Sequence, residues 1–147
     1  MSEIVKKDAI DTFQNDGVVF IKGMFTEWVD SLAVGVEQNL DEPSADGKLY
    51  HDDEGRRFLS DYCNWQRIPQ YEDFLKNSRC AELAAALMRS KTARLFHEHV
   101  LVKDAGAQIA TPWHHDQTYY CVDGSQNVSI WIPLDPVGRN TSPEFVA

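Results

Sequence analysis

An imidazole and a carboxylate two residues apart form the most chemically informative pair in the sequence, within the stretch from Trp113 to Tyr120. The stretch reads as a β-strand, and in a strand residues i and i+2 project from the same face. His114 and Asp116 are therefore predicted to share a face, with His115 on the other. They would supply two of the three ligands of the 2-His-1-carboxylate triad that binds non-haem Fe(II). The same spacing also suits a structural hydrogen-bonded pair at a strand end.

Two further segments carry candidate residues at the same alternating spacing. His97 and His99 are predicted to share a strand face, either as polar lining or as a second metal pair. Trp131 shares a predicted face with Ser129 and is either a core aromatic or the wall of a pocket. A small polar neighbour such as Ser129 favours a cavity over a tightly packed core.

The elements that position these residues divide the chain into two parts. The sequence pattern of the first part predicts mainly helices, and that of the second part predicts strands. Helices are expected over 6–15 with a stop at Gly17, after a cap at Thr26, from Pro69, and over 80–88 with a cap at Ser78. Strands are expected over 18–21, 93–103, 111–120 and 127–134, residues 41–55 read as a loop, and 58–66 fit no pattern well enough to assign. This order indicates an α+β class.

Bulk composition excludes several functional classes. A chain of 147 residues with 43% hydrophobic residues predicts one soluble domain over 1–147. Its net charge of −9 argues against nucleic acid and anionic membranes as partners. The three cysteines lack paired spacing and the N-terminus lacks a signal peptide, so we expect a cytoplasmic protein with reduced thiols.

Four pieces of sequence, taken in order, carry a resemblance to a known family. They are the segment from Phe96 to Lys103, Thr-Pro-Trp-His-His-Asp-Gln at 111–117, the pair Tyr119-Tyr120, and the segment from Ser129 to Asp135. Together with the N-terminal pattern from Phe13 to Val19, the chain closely resembles the phytanoyl-CoA dioxygenase family of Fe(II)/2-oxoglutarate-dependent oxygenases.

The resemblance implies a fold, cofactors and site residues. The implied fold is a double-stranded β-helix, a jelly-roll or cupin-like barrel with the N-terminal helices packed outside. The implied iron ligands are His114 and Asp116, while Trp131 and, more loosely, His99 match positions that contact 2-oxoglutarate. Dioxygen and a small organic or acyl substrate are the implied reactants, with ascorbate as a candidate reductant. The intact Asp116 favours hydroxylation over halogenation.

The sequence departs from the family pattern near Ala147. Relatives continue into a Gly-Ser-His element that supplies the third iron ligand, and then to an arginine that pairs with 2-oxoglutarate. We therefore expect an incomplete barrel, and little or no oxygenase activity from this chain alone. Exposed strand edges would favour aggregation, partial disorder or oligomerisation. The alternative is a catalytically dead barrel module that binds a small molecule or a protein partner.

Overall fold

The fold of residues 4–146, taken from a computed structural model, places four helices on one side of a small sheet. The helices are α1 (Lys7–Asp16), α2 (Val29–Asp41), α3 (Pro69–Asn77) and α4 (Cys80–Leu87), with 3₁₀ turns at Thr26–Trp28 and Asp116–Tyr119. The strands are β1 (Lys48–His51), β2 (Arg57–Tyr62) and β3 (His99–Lys103). The predicted α+β class is confirmed. None of the helices in this part of the chain is long and apolar enough to cross a membrane.

Local signals fixed three of the helices. Gly17 closes α1 with a φ of 75° and donates its N–H to the Phe13 carbonyl, the left-handed stop that glycine permits. Pro69 opens α3, and the hydroxyl of Ser78 accepts the Cys80 N–H at 3.2 Å beside the start of α4. The prediction of a cap at Thr26 was wrong. Its hydroxyl donates to the Gly23 carbonyl in a 3₁₀ turn, and α2 begins three residues later.

The hydrophobic core lies between the helices and the sheet. Phe74 of α3 meets the ring of Phe25 edge-on at 5.2 Å and the ring of Trp28 at 5.5 Å. α2 packs closely on α3 at Gly35, where a Cβ would stand 2.7 Å from the Tyr71 ring. The buried members are Val5, Phe25, Leu32, Ile68, Tyr71, Phe74, Cys80, Leu83, Leu87 and Val100.

The sheet is antiparallel in the order β1-β2-β3, and its two faces differ in chemistry. Toward the helices it presents the cross-strand pairs Leu59–Val102 and Asp61–Val100. The other face, called the outer face here, carries the pairs Phe58–Lys103, Ser60–Leu101 and Tyr62–His99. Successive strand residues alternate in direction, so β2 contributes to the core and to the outer face at once.

The β1–β2 hairpin was not predicted, because it lies in segments read as a loop and as unassigned. Its turn is built by the Asp52 carboxylate, which accepts the backbone N–H groups of Glu54 and Arg56 at 3.0 and 2.9 Å. Gly55 completes the turn with a φ of 77°. A turn rich in acidic residues therefore joins the two strands. Pairing with β2 makes Lys48–His51 a strand, although these residues lie within the predicted loop.

Three predicted strands are wrong, and a fourth is shorter than predicted. Residues 18–21 and 127–134 make no ladder, and 111–120 contain a 3₁₀ turn; only His99–Lys103 of 93–103 is paired. Burial nevertheless alternates over 127–134, since Val128, Ile130, Ile132 and Leu134 pack against the core. Alternating burial needs only an extended backbone, whereas a strand also needs a neighbour for its hydrogen bonds. Among residues 4–146 the only sheet is three-stranded, so a double-stranded β-helix is not seen.

A buried carboxylate network joins the sheet to the helices. Asp61 on β2 has no exposed surface. It accepts hydrogen bonds from Asn39 Nδ2 at 2.8 Å, from Ser44 N at 2.8 Å and from Ser44 Oγ at 2.5 Å. A Cβ at Gly47 would lie 3.1 Å from the same carboxylate, so the chain after α2 passes directly over it. Charge-assisted hydrogen bonds of this kind are the strong ones in proteins.

The same network controls the ionisation of Asp61. Burial acts to raise the pKa of this carboxyl, but hydrogen bonds from Ser44, Asn64 and Asn39 outweigh it and hold the pKa well below its usual range. The guanidinium of Arg67, 3.9 Å away, adds positive charge nearby. Asp61 is therefore ionised in the folded protein at neutral pH.

We predict that Asp61→Asn lowers the free energy of unfolding by about 3 kcal/mol, because an amide NH₂ group then faces N–H and O–H donors. Urea denaturation at pH 7 measures this loss. Asp53→Asn, an exposed acid in the hairpin turn, is the matched control and should change stability by less than about 0.5 kcal/mol. Equal stabilities of the two variants would contradict the role given to Asp61.

The depressed pKa of Asp61 also predicts a pH dependence. The unfolded chain binds a proton near the ordinary aspartate pKa of 3.8, whereas the folded chain does so only at lower pH. The stabilisation is thus complete above the unfolded pKa and is lost as pH falls through the folded one. Stability of the wild type should fall more steeply below about pH 4 than that of Asp61→Asn. Parallel curves from urea melts would count against this linkage.

Candidate functional site

The candidate site lies on the outer face of the sheet, away from the helices. Tyr62 and His99 stand opposite each other on β2 and β3, and their rings stack at 3.9 Å with an interplanar angle of 21°. The Ser60 hydroxyl is 2.9 Å from His99 Nε2. These two contacts fix the ring plane of His99 and the direction of its Nε2 atom.

Packing against Tyr62 affects the ionisation of His99. Desolvation, assisted by the neighbouring His97, lowers the pKa of His99 to about 4, although Asp116 and Asp61 act in the opposite direction. His99 keeps an exposed edge, so the desolvation that lowers its pKa comes from the ring face that Tyr62 covers. His99 is therefore a neutral hydrogen-bonding group at pH 7. Ring contacts from Tyr62 through His97 to Tyr120 link His99 to the surroundings of Asp116.

The structure brings His114 and Asp116 together. His114 Nε2 lies 3.3 Å from Asp116 Oδ1, and both side chains are about half exposed, at 43% and 51%. They meet for a different reason from the one predicted. Asp116 is the first residue of the 3₁₀ turn Asp116–Tyr119, whereas the residue before it is extended with φ −123° and ψ 143°. The change of backbone direction turns the carboxylate back toward the imidazole.

A hydrogen bond at Nδ1 determines which ring nitrogen of His114 is available to a cation. Its Nδ1 atom lies 2.8 Å from the Pro112 carbonyl oxygen. A carbonyl only accepts, so Nδ1 carries a hydrogen and, in the neutral ring, Nε2 presents its lone pair. Metal-binding histidines commonly use such a bond to fix the ring and its tautomer. Nε2 is therefore the ring nitrogen that faces the carboxylate and the one that a cation would use.

The pair fits a divalent cation in distance and in donor type. Two donors about 2.1 Å from an ion at a right angle would lie about 3.0 Å apart, close to the 3.3 Å found here. Neutral imidazole and carboxylate both suit Fe(II). Within residues 4–146 no group of three or more His, Cys, Asp or Glu side chains is arranged to hold a metal. The described part of the site thus offers two donors.

Asp116 has a second partner that the sequence did not reveal. The Tyr120 hydroxyl donates to Asp116 Oδ2 at 3.2 Å. The Tyr120 ring meets Phe96 edge-on at 5.1 Å and His97 at 5.9 Å. Burial raises the pKa of Tyr120, so its hydroxyl keeps its proton at neutral pH.

The other predicted residues make fewer contacts than this pair. Trp131 is half exposed on the extended segment that also carries Ser129, and in the described residues it makes no ring contact with His99 or His114. His97 contacts Tyr62 and Phe96 through its ring. His115 is exposed. The site role of His99 and Trp131 remains a prediction.

Two cavities lie elsewhere in the molecule. One of about 300 Å³ is beside the hairpin turn, where Asp52, Arg56 and Gln108 line it. Another of about 550 Å³ is at the end of β3, between Lys103 and Asn140. Neither is lined by His114 or Asp116, which lie at an open surface beside the aromatic side chains.

Sequence reasoning missed three residues of this region: Ser60, Tyr62 and the role of Tyr120. The first two stand on β2, within residues 58–66 that fit no sequence pattern well enough to assign, although Phe58, Ser60 and Tyr62 alternate with Leu59 and Asp61. That alternation was the available signal. The contact between Tyr120 and Asp116 had none, because it depends on the 3₁₀ turn.

Residues 13–146 match the sequence model of a family described as phytanoyl-CoA dioxygenase (PhyH). Comparisons with curated proteins and with solved structures give no match.

We predict that His99 titrates near pH 4 in metal-free protein, which NMR of the imidazole signals would measure. Tyr62→Leu uncovers the ring and should move the pKa upward toward 6.5. Tyr50→Leu, which removes a ring from β1, is the matched control and should leave His99 unchanged. Because the folded pKa is the lower one, the folded protein also loses stability as pH falls from 6.5 to 4. A wild-type value near 6.5 would contradict this assignment.

Proposed function

The chain belongs to the phytanoyl-CoA dioxygenase family. On this premise we propose that its function is that of a non-haem Fe(II)/2-oxoglutarate-dependent oxygenase acting on a small organic or acyl substrate. His114 and Asp116 are proposed as two of the iron ligands. The reaction proposed is hydroxylation at the expense of dioxygen and 2-oxoglutarate, with ascorbate as a candidate reductant. A net charge of −9 agrees with a small-molecule substrate better than with nucleic acid.

The observation that carries the proposal is the 3.3 Å approach of His114 Nε2 to Asp116 Oδ1. The Pro112 carbonyl holds the Nδ1 hydrogen, which leaves Nε2 as the nitrogen available to a cation beside the carboxylate. The half exposure of both groups leaves room for a cation and for reactants beside it.

Each residue then has a physical task. His114 contributes a neutral nitrogen and Asp116 a negative oxygen, which together partly neutralise a divalent cation. When bound, ferrous iron and 2-oxoglutarate would supply the chemistry by which dioxygen oxidises a C–H bond. His99, neutral and fixed by Ser60 and Tyr62, is proposed to offer a hydrogen bond to 2-oxoglutarate. Trp131 is proposed as a wall of the same pocket.

The family fold, a double-stranded β-helix, is also proposed for this chain. Helices on one side of the sheet and polar aromatic residues on the other agree with a barrel whose helices pack outside. Residues 127–134 alternate in burial, as a strand of a double-stranded β-helix would. Support for this fold comes from the family and from these faces.

A second candidate is a module that binds a small molecule or protein partner without turnover. The two-donor composition of the site in residues 4–146 favours it, because two protein ligands hold a metal less firmly than three. The two candidates differ in one property: the second does not require His114 or Asp116 to bind a cation.

We predict that the protein binds Co²⁺, a stand-in for Fe²⁺, and that His114→Ala and Asp116→Ala each weaken this binding at least about tenfold. Isothermal titration calorimetry measures the affinities. His115→Ala removes the adjacent exposed imidazole and is the matched control, with unchanged affinity expected. If all four proteins bind Co²⁺ equally, or none binds it, the metal-site proposal fails and the binding module is favoured.

A further inference from the structure

We propose that Tyr120 is a positioning residue that orients the Asp116 carboxylate for cation binding. The inference rests on the proposed function, because it assigns the contact a task only if Asp116 is a metal ligand. It concerns residues of this chain for which neither spacing nor family membership gave a role.

The two oxygens of Asp116 have separate partners. Oδ1 faces His114 Nε2 at 3.3 Å, whereas Oδ2 accepts the Tyr120 hydroxyl at 3.2 Å. A carboxylate is free to rotate about its Cβ–Cγ bond, and a donor on one oxygen restricts that rotation. With Oδ2 engaged, Oδ1 is left directed toward the imidazole. This is the arrangement that a ligand binding through one oxygen needs.

The ring of Tyr120 is itself held in place by two neighbours. Phe96 and His97 contact the ring edge-on at 5.1 and 5.9 Å. The ring position in turn sets where the hydroxyl meets Asp116 Oδ2.

These ring contacts connect the metal site to the sheet. His97 also contacts the ring of Tyr62 on β2, and the chain enters β3 two residues after His97. Residues anchored beside the sheet therefore set the position of the Tyr120 ring, and through it the hydroxyl that restrains an otherwise half-exposed carboxylate. Partners of this kind typically change metal affinity by about 10- to 100-fold when removed.

Ring packing and hydroxyl donation can be separated experimentally, because Phe keeps the ring. At 3.2 Å the bond to Oδ2 is long for an O–H···O contact, so its loss should cost little stability. We expect Tyr120→Phe to unfold at nearly the wild-type temperature but to bind Co²⁺ about tenfold more weakly. Tyr50→Phe, which removes a hydroxyl from the far strand of the sheet, should change neither property.

The experiment is calorimetric titration of Co²⁺ into the wild type and both variants, with thermal melts of the metal-free proteins. Weaker binding by Tyr120→Phe alone, at unchanged melting temperature, supports the inference. Equal affinity of Tyr120→Phe and wild type overturns it while leaving the proposed metal site intact. Loss of folding in Tyr120→Phe also overturns it, since the hydroxyl would then serve the fold. No Co²⁺ binding by the wild type overturns both this inference and the proposed function.

Discussion

The arrangement of the molecule depends on one buried anion, the carboxylate of Asp61. It receives hydrogen bonds from the last turns of α2 and from the loop that follows, yet it belongs to the central strand of the sheet. A buried charge is tolerable only when its partners are all in place. Helix, loop and strand are therefore fixed relative to one another by a single group. An apolar residue at this position would leave several buried donors without an acceptor.

The constraint at Asp61 is transmitted to the candidate site through strand alternation. When Asp61 faces the helices, its neighbours Ser60 and Tyr62 must face outward. There they meet His99 of β3 and fix its ring. The aromatic residues that precede β3 in turn hold the Tyr120 ring, and its hydroxyl reaches Asp116. Core and site are thus opposite faces of the same strand pairing.

Sequence patterns predicted what is encoded locally and failed where partners are distant. Gly17 and Pro69 end and begin helices by their own backbone preferences, so α1 and α3 were predictable. The β1–β2 hairpin was not, because pairing rather than composition makes Lys48–His51 a strand. His114 and Asp116 were expected together from strand spacing, and they are together through a 3₁₀ turn instead. In a strand, positions 116 and 120 would be about 13 Å apart, so no strand prediction could place Tyr120 on Asp116.

The central claim is that His114 and Asp116 jointly ligate one divalent cation. Anomalous diffraction at the cobalt edge, from crystals grown with Co²⁺, tests it directly. The account predicts a peak about 2.1 Å from both His114 Nε2 and Asp116 Oδ1. Cobalt found only at another site, with no peak beside this pair, would contradict it.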